Sequence, residues 1–347
     1  MFMEGRRYCV TDMHTAGEPV RIVTDGYPEL SGATILEKRQ EAMRRHDDLR
    51  RMLVLEPRGH SGMYGVIPVR PSDPRAAFAA LFIHGAGYST MCGHATIALG
   101  KWLVESGRVP VVGPETRFSI ELPCGLVEVT CHVDNGVVTA TEFESVPAFL
   151  ARSDVSLSVP GLGEVTFDLA YGGAYYALLP ASRLGLSFFE ASFGALVSAA
   201  AAITEAAREA LEIAHPGAPD LGFLYGTILT DDAAPPHPSY NLCVFADGQV
   251  DRSPTGSGVT ARMARDHARG LIKAGETREF LGPTGIPFSG CVIRLDSAMI
   301  EDAVRVSVSG RSHFCGTATF EVDPQDRLGR GFTLPRRFGE VSGTVQP

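Results

Sequence analysis

A single tryptophan, seven cysteines and no long apolar run mark this chain of 347 residues. Without an apolar stretch of roughly 18 residues, no helix of the sequence is expected to span a bilayer. The opening residues Met1-Phe2-Met3-Glu4-Gly5-Arg6-Arg7-Tyr8 carry no apolar core of signal-peptide length, so no secretory leader is expected there. Basic runs interleaved with aromatics are also missing, and the net charge is -9, which argues against nucleic acid or an anionic membrane as partner. Cys9, Cys92, Cys124, Cys131, Cys243, Cys291 and Cys315 are odd in number and scattered. They form no CxxC pair and no zinc-spaced Cys/His cluster. A reduced, cytoplasmic protein whose thiols are mostly small buried hydrophobes is the expectation. No pyridoxal lysine motif is evident, so neither a metal nor an organic cofactor is expected.

What is present describes a soluble globular protein, with 44% hydrophobic and 20% charged residues, long enough for two domains. The 38 glycines and 23 prolines supply turns between short β-like runs and helices. Strands are expected at 8–13, 20–23, 76–83, 117–122, 126–133, 137–146, 164–169, 223–230, 240–246, 291–295, 303–309 and 314–322. Helices are expected at 31–52 (with Ser31 or Thr34 as cap), 93–104, 190–213 and 257–271. Residues 93–104 are apolar almost all round and include Trp102, so this helix should run through the middle of a domain. Too many strands connect through short turns for an all-parallel sheet, which points to an α+β fold of two halves, each a curved sheet around a helix. The expected division is 1–147, with a strand returning from about 312–347, and 148–311. The polar tail after 323 is expected to fray.

One stretch of sequence has a distant echo. Met91-Cys92-Gly93-His94-Ala95-Thr96-Ile97-Ala98 aligns with Pro254-Thr255-Gly256-Ser257-Gly258-Val259-Thr260-Ala261, so that Cys92 meets Thr255 and Gly93 meets Gly256. Each copy puts a reactive-type residue and a glycine at the start of a helix, but one carries a thiol and the other a hydroxyl. A free thiol of pKa ~8.5 is only about 3% ionised at neutral pH. A helix N-terminus worth ~1–2 kcal/mol to the anion would bring the pKa of Cys92 toward ~7. A threonine hydroxyl is no base near neutrality, so Thr255 is read as a helix cap, a hydrogen-bonding group or both. The N–H groups of Gly93, His94, Gly256 and Ser257 would suit a carboxylate held between two helix ends. Asp251 could hold an ammonium group, or pair with Arg252, or cap a turn. His94 is read either as an acid or as a structural histidine.

The stretches Asp12-Met13-His14-Thr15-Ala16-Gly17-Glu18-Pro19, Glu56-Pro57-Arg58-Gly59-His60, Met63-Tyr64-Gly65, Met91-Cys92-Gly93-His94 and Asp251-Arg252-Ser253-Pro254-Thr255-Gly256-Ser257-Gly258 form a set of motifs. On these, and across nearly its whole length, the chain resembles the proline racemase family. The family's racemases and epimerases carry cysteine at both reactive positions. Thr255 at the second, with Phe245-Ala246-Asp247 through Thr260-Ala261-Arg262, resembles its trans-3-hydroxy-L-proline dehydratase branch. The resemblance implies a diaminopimelate-epimerase-like fold of two pseudo-symmetric halves with the site in the cleft, and a homodimer. It implies a cofactor-independent hydro-lyase acting on a small amino acid. In that role Cys92, Thr255 and His94 are the catalytic candidates, and Gly93, His94, Asp251, Gly256 and Ser257 bind substrate. Two other readings are weighed: a proline or 4-hydroxyproline racemase/epimerase, and a non-catalytic amino-acid-binding protein. The racemase needs a second acid/base that Thr255 does not supply. The reactive setting of Cys92 speaks against a mere binder.

Overall fold

The computed structural model describes residues 7–298 and 300–334. Most of the expected leader-free opening (residues 1–6) and the last part of the expected returning segment (335–347) lie outside these described residues. A hairpin of β1 (Arg7–Thr15) and β2 (Glu18–Asp25) is followed by α1 (Ile35–Arg45) and α2 (Asp47–Val54). Next come β3 (Tyr64–Val69), β4 (Phe78–His84), β5 (Gly87–Ser89) and α3 (Gly93–Glu105). A meander of β6 (Glu115–Leu122), β7 (Gly125–Asp134) and β8 (Val137–Glu144) leads into β9 (Phe149–Val159), β10 (Gly163–Tyr171) and β11 (Tyr175–Pro180). After α4 (Phe193–Ala210) the chain forms β12 (Leu224–Thr230), β13 (Ser239–Phe245), β14 (Gln249–Val250) and α5 (Gly256–Ala268). It closes with β15 (Thr277–Leu281), β16 (Pro287–Leu295), β17 (Val304–Gly310) and β18 (Ser312–Glu321).

The fold is α+β, with a mixed, mostly antiparallel sheet. Parallel pairs occur where a helix or long connection intervenes: β2 with β3, β4 with β6, β11 with β12 and β13 with β15. Two long-range pairings close it. β1 lies between β2 and β18, with Tyr8 opposite Phe320 and Thr15 opposite Ser312. β17 pairs with β8, Ser307 opposite Glu144. The larger core surrounds α3 and α5, and a smaller one lies under α1 and α2.

All residues of α3 from Gly93 to Val104 are buried, as its all-round apolar pattern requires. α5 is buried almost as completely despite its polar residues. Arg262, fully inside, donates to the Asn241 side chain at 2.7 Å and lies over the Phe280 ring, and burial pulls it down to about 9. Asp266 is paired with the equally buried Arg278 at 3.1 Å.

Three expectations change. The helix expected over 31–52 is two helices, broken at His46. Thr34, not Ser31, caps α1, in a capping box with Glu37. The basic Arg44 and Arg45 end the first helix, while Asp47 and Asp48 begin the second, the charge order that two helix dipoles favour over one. β3, β5, β9, β11, β14 and β15 have no counterpart among the expected strands. β9 hides because it is polar and half-exposed, and it exists through pairing with β10 along its length. α4 is shorter than its alanine-rich segment, starting where the Ser192 hydroxyl accepts from Ala195 N–H.

Candidate active site

The N-termini of α3 and α5 meet end to end at two glycines. A Cβ added to Gly93 would come 2.4 Å from the Gly256 Cα, and one added to Gly256 would come 2.7 Å from the Gly93 Cα. No other residue type allows the two helix ends to approach this closely. The Gly172-Gly173 turn tightens the same junction: a side chain on Gly172 would strike the Ser257 carbonyl, and Thr90 donates to the Gly173 carbonyl at 2.8 Å.

Where these ends meet there is a cavity of about 10 Å³, lined by Cys92, Gly93, His94, Asp251, Thr255, Gly256 and Ser257. The structure therefore brings together every residue that the sequence singled out. Tyr64, Met91, Tyr176, Tyr225 and Phe245 complete the wall. The space suits one water and is smaller than an amino acid, so a substrate has to part the surrounding walls.

Cys92 is the N-cap of α3, its sulfur accepting from Ala95 N–H at 3.4 Å and lying 3.1 Å from His94 Nδ1. The expected half-ionised thiol is not what the structure supports. Burial pushes the Cys92 thiol well up, and the nearby Asp251 and Glu18 carboxylates push it further. The Ala95 N–H and the Tyr64 hydroxyl oppose this only in part. Full burial shifts such groups by several pKa units, whereas a helix end offers ~1 unit, so desolvation wins. The thiolate fraction of the free protein should thus rise through the neutral and alkaline range. We expect kcat/KM to climb about tenfold per unit from roughly pH 7 to 9. A profile already flat below about pH 7 would show that the thiol titrates lower than its surroundings dictate.

His94 is pulled down by burial, with Asp251 and a hydrogen bond to the Pro19 carbonyl opposing, so its ring is neutral at pH 7. Asp251 Oδ2 lies 4.0 Å from His94 Nδ1, and Asp251 Oδ1 accepts from Ser253 N–H at 2.8 Å. Asp251 thus caps a turn, yet Arg252 is not its partner. Arg252 instead donates through its backbone N–H (2.7 Å) and Nη1 (3.1 Å) to Glu18 Oε2. Glu18 is fully buried on β2, and burial together with Asp251 holds its carboxyl well above the ordinary range.

Thr255 occupies the N-cap position of α5, but its side chain makes no capping bond. Its φ of 64° is a left-handed conformation unusual for a β-branched residue, a strain of the kind kept at functional sites. Its buried Oγ1 has no aligned hydrogen-bond partner. The Cys243 thiol, fully buried on β13, is a close neighbour of that hydroxyl and is itself pushed well up by burial.

The tyrosines, Glu18 and Arg252 were not read as site residues. Glu18, Tyr64 and Arg252 fall within the stretches quoted above, but nothing in their local sequence distinguishes a site tyrosine or carboxylate from a packed one. Tyr176 donates to or accepts from Ser257 Oγ at 2.7 Å, a contact made only by the fold. Among the described residues no cluster of His, Cys, Asp and Glu could hold a metal ion, and no helix is long and apolar enough to cross a membrane.

The chain is similar to known proteins along nearly its whole length. The chain is 47% identical over 332 residues to the trans-3-hydroxy-L-proline dehydratase of Homo sapiens, covering 94% of each. It is 43% identical over 324 residues to the trans-3-hydroxy-L-proline dehydratase of Colwellia psychrerythraea, covering 93% of this chain and 91% of that one. Among solved structures, a hydroxyproline epimerase from Agrobacterium vitis with bound trans-4-hydroxy-L-proline superposes with a TM-score of 0.92 at 28% identity, covering 100% of both chains. The proline racemase family model matches residues 10–333, and the chain belongs to that family.

Proposed function

We propose that this protein is a hydro-lyase that dehydrates trans-3-hydroxy-L-proline to Δ1-pyrroline-2-carboxylate. Relatives bearing that activity in their names, at 41% to 47% identity, support the reading. The observation that carries it at the site is the asymmetry of the joined helix ends: a thiol lines one side of the cavity and only a hydroxyl the other.

The chemistry follows from the ring. In trans-3-hydroxy-L-proline the carboxylate and the hydroxyl lie on opposite faces, so the α-hydrogen shares the face of the hydroxyl. One base on that face is enough for elimination, whereas inversion needs a second group opposite. In this reading the substrate carboxylate rests on the N–H groups of Gly93, His94, Gly256 and Ser257. These groups favour the negative charge that develops as the α-proton leaves. Asp251 holds the ring ammonium, whose positive charge acidifies the α-carbon and offsets the carboxylates that oppose ionisation of Cys92. The Cys92 thiolate takes the α-proton, the hydroxyl departs as water, and the enamine tautomerises to the cyclic imine. Thr255 orders the far face and moves no proton.

The finer architecture belongs to the same reading: two pseudo-symmetric, diaminopimelate-epimerase-like halves, residues 1–147 with the returning strand and residues 148–311. So does a cytoplasmic homodimer. All seven cysteines are free thiols, which suits a reducing compartment, and light scattering tests the dimer.

A racemase or epimerase would use an acid/base across from Cys92. The nearest thiol there, Cys243, is fully buried beneath Thr255 rather than in the cavity wall. Thr255→Cys should therefore create what the wild type lacks, inversion of L-proline to the D-isomer, rising from background to a readily measured rate. Incubation with each hydroxyproline isomer should yield imine from the trans-3 isomer alone. Epimerisation of trans-4-hydroxy-L-proline by the unchanged protein, without imine formation, would overturn the reading.

A further inference from the structure

The dehydratase reading leaves open what delivers a proton to the departing hydroxyl. We propose that it is Tyr64, acting on the Cys92 face of the substrate as the general acid of C–O cleavage. The proposal rests on that reading.

Tyr64 begins β3 and is buried, yet it lines the cavity beside Cys92. Its hydroxyl neighbours the Cys92 sulfur and hydrogen-bonds the hydroxyl of Ser89, itself wholly buried. With Ser89 as donor in that bond, the Tyr64 O–H is left to the Cys92 side of the cavity, where it contacts the sulfur. Its ring is set edge-on to His94 at 4.8 Å and stacked near His84 at 6.0 Å, so its direction is fixed by packing. Elimination from this substrate is confined to one ring face, and the leaving oxygen must emerge next to the sulfur that takes the α-proton. Of the three tyrosines on the cavity wall, Tyr64 is the one whose hydroxyl bonds the Cys92 sulfur, whereas Tyr176 is engaged with Ser257 at the other helix end.

His94 is the rival, but its ring is neutral, hydrogen-bonded to the Pro19 carbonyl and lying against the Cys92 sulfur. Tyr64, by contrast, keeps its proton through the alkaline range, because burial raises it well above the ordinary phenol value. The proton count closes without another reactant. The α C–H bond breaks and its proton goes to the Cys92 thiolate, while the electron pair forms the ring double bond. The C3–O bond breaks as Tyr64 gives its proton to that oxygen, releasing water. The Cys92 thiol then returns a proton to the Tyr64 oxygen, restoring thiolate and phenol.

The test uses Tyr64→Phe with three substrates: trans-3-hydroxy-L-proline, trans-3-fluoro-L-proline, whose fluoride departs without taking up a proton, and L-proline in heavy water, which reports α-exchange alone. Dehydration of the hydroxy compound should fall at least about 10²-fold further than fluoride elimination and α-exchange, which lose only the hydrogen bond that Tyr64 gives the thiolate. Retained activity on those two substrates also shows that the variant is folded. An equal loss with all three would mean that Tyr64 only supports Cys92, and hydroxyl loss at a near wild-type rate would leave the task to His94 or Cys92. Either result overturns the proposal. Failure of the unchanged protein to form imine from the hydroxy compound would instead overturn the dehydratase reading beneath it.

Discussion

Cys92→Ser is expected to lower kcat/KM by at least about 10³-fold while leaving the protein as stable as before, or slightly more so. The two effects separate because Cys92 has two roles. As a base it needs an ionisable atom, and a serine hydroxyl without a strong partner does not ionise near neutral pH. As the N-cap of α3 it needs only an acceptor, and the sulfur meets the Ala95 N–H at 3.4 Å. Oxygen is the better cap, since serine ranks among the favoured N-cap residues. Steady-state rates with trans-3-hydroxy-L-proline, together with thermal melting, check both halves. A variant that keeps more than about a tenth of the wild-type rate would remove the thiol from its proposed role.

Gly93→Ala is expected to be nearly as damaging to activity, for a different reason, and to destabilise the fold as well. The new methyl would lie 2.4 Å from Gly256 Cα and 2.8 Å from its carbonyl carbon, both backbone atoms that no rotamer change can move aside. The ends of α3 and α5 must separate, at a cost of about 1–3 kcal/mol as in other overpacked cores. Moving the two ends by even about 1 Å spoils the alignment of base and carboxylate site, worth roughly 10²-fold in rate. Gly194→Ala is the control. That glycine lies in α4 with open space around its Cα, so alanine there should be neutral or stabilising by up to about 1 kcal/mol. Melting temperature and kcat for the two variants should diverge. Similar behaviour would show that the helix junction tolerates bulk after all.

The parts of this molecule that were legible in its sequence are those written by local chemistry. α3 could be read because every face is apolar, and the two helix starts because glycine follows a polar or nucleophilic residue in each. The cavity then gathers all seven residues so marked. The state of the Cys92 thiol is not legible locally because its burial, and after it the Asp251 and Glu18 carboxylates, come from the packing of distant segments, whereas the helix end is a local influence. Tyr64 and Tyr176 escaped for a related reason: their neighbours Ser89 and Ser257 lie 25 and 81 residues away. The break at His46 left traces in the charges flanking it, but a rough apolar stripe running through both helices outweighed them. β9 had no such trace, because a half-exposed strand takes its pattern from its partner.

The placement of β1 bears on how the polypeptide matures. One neighbour of that strand, β2, follows it directly along the chain, while the other, β18, begins only at Ser312. Until about residue 321 has emerged, one row of β1 amides and carbonyls has no permanent mate. Vectorial folding can therefore assemble the region around α5 before the region around α3 is sealed, and the nascent chain carries an open strand edge until β18 is made. Such an edge invites pairing with other chains.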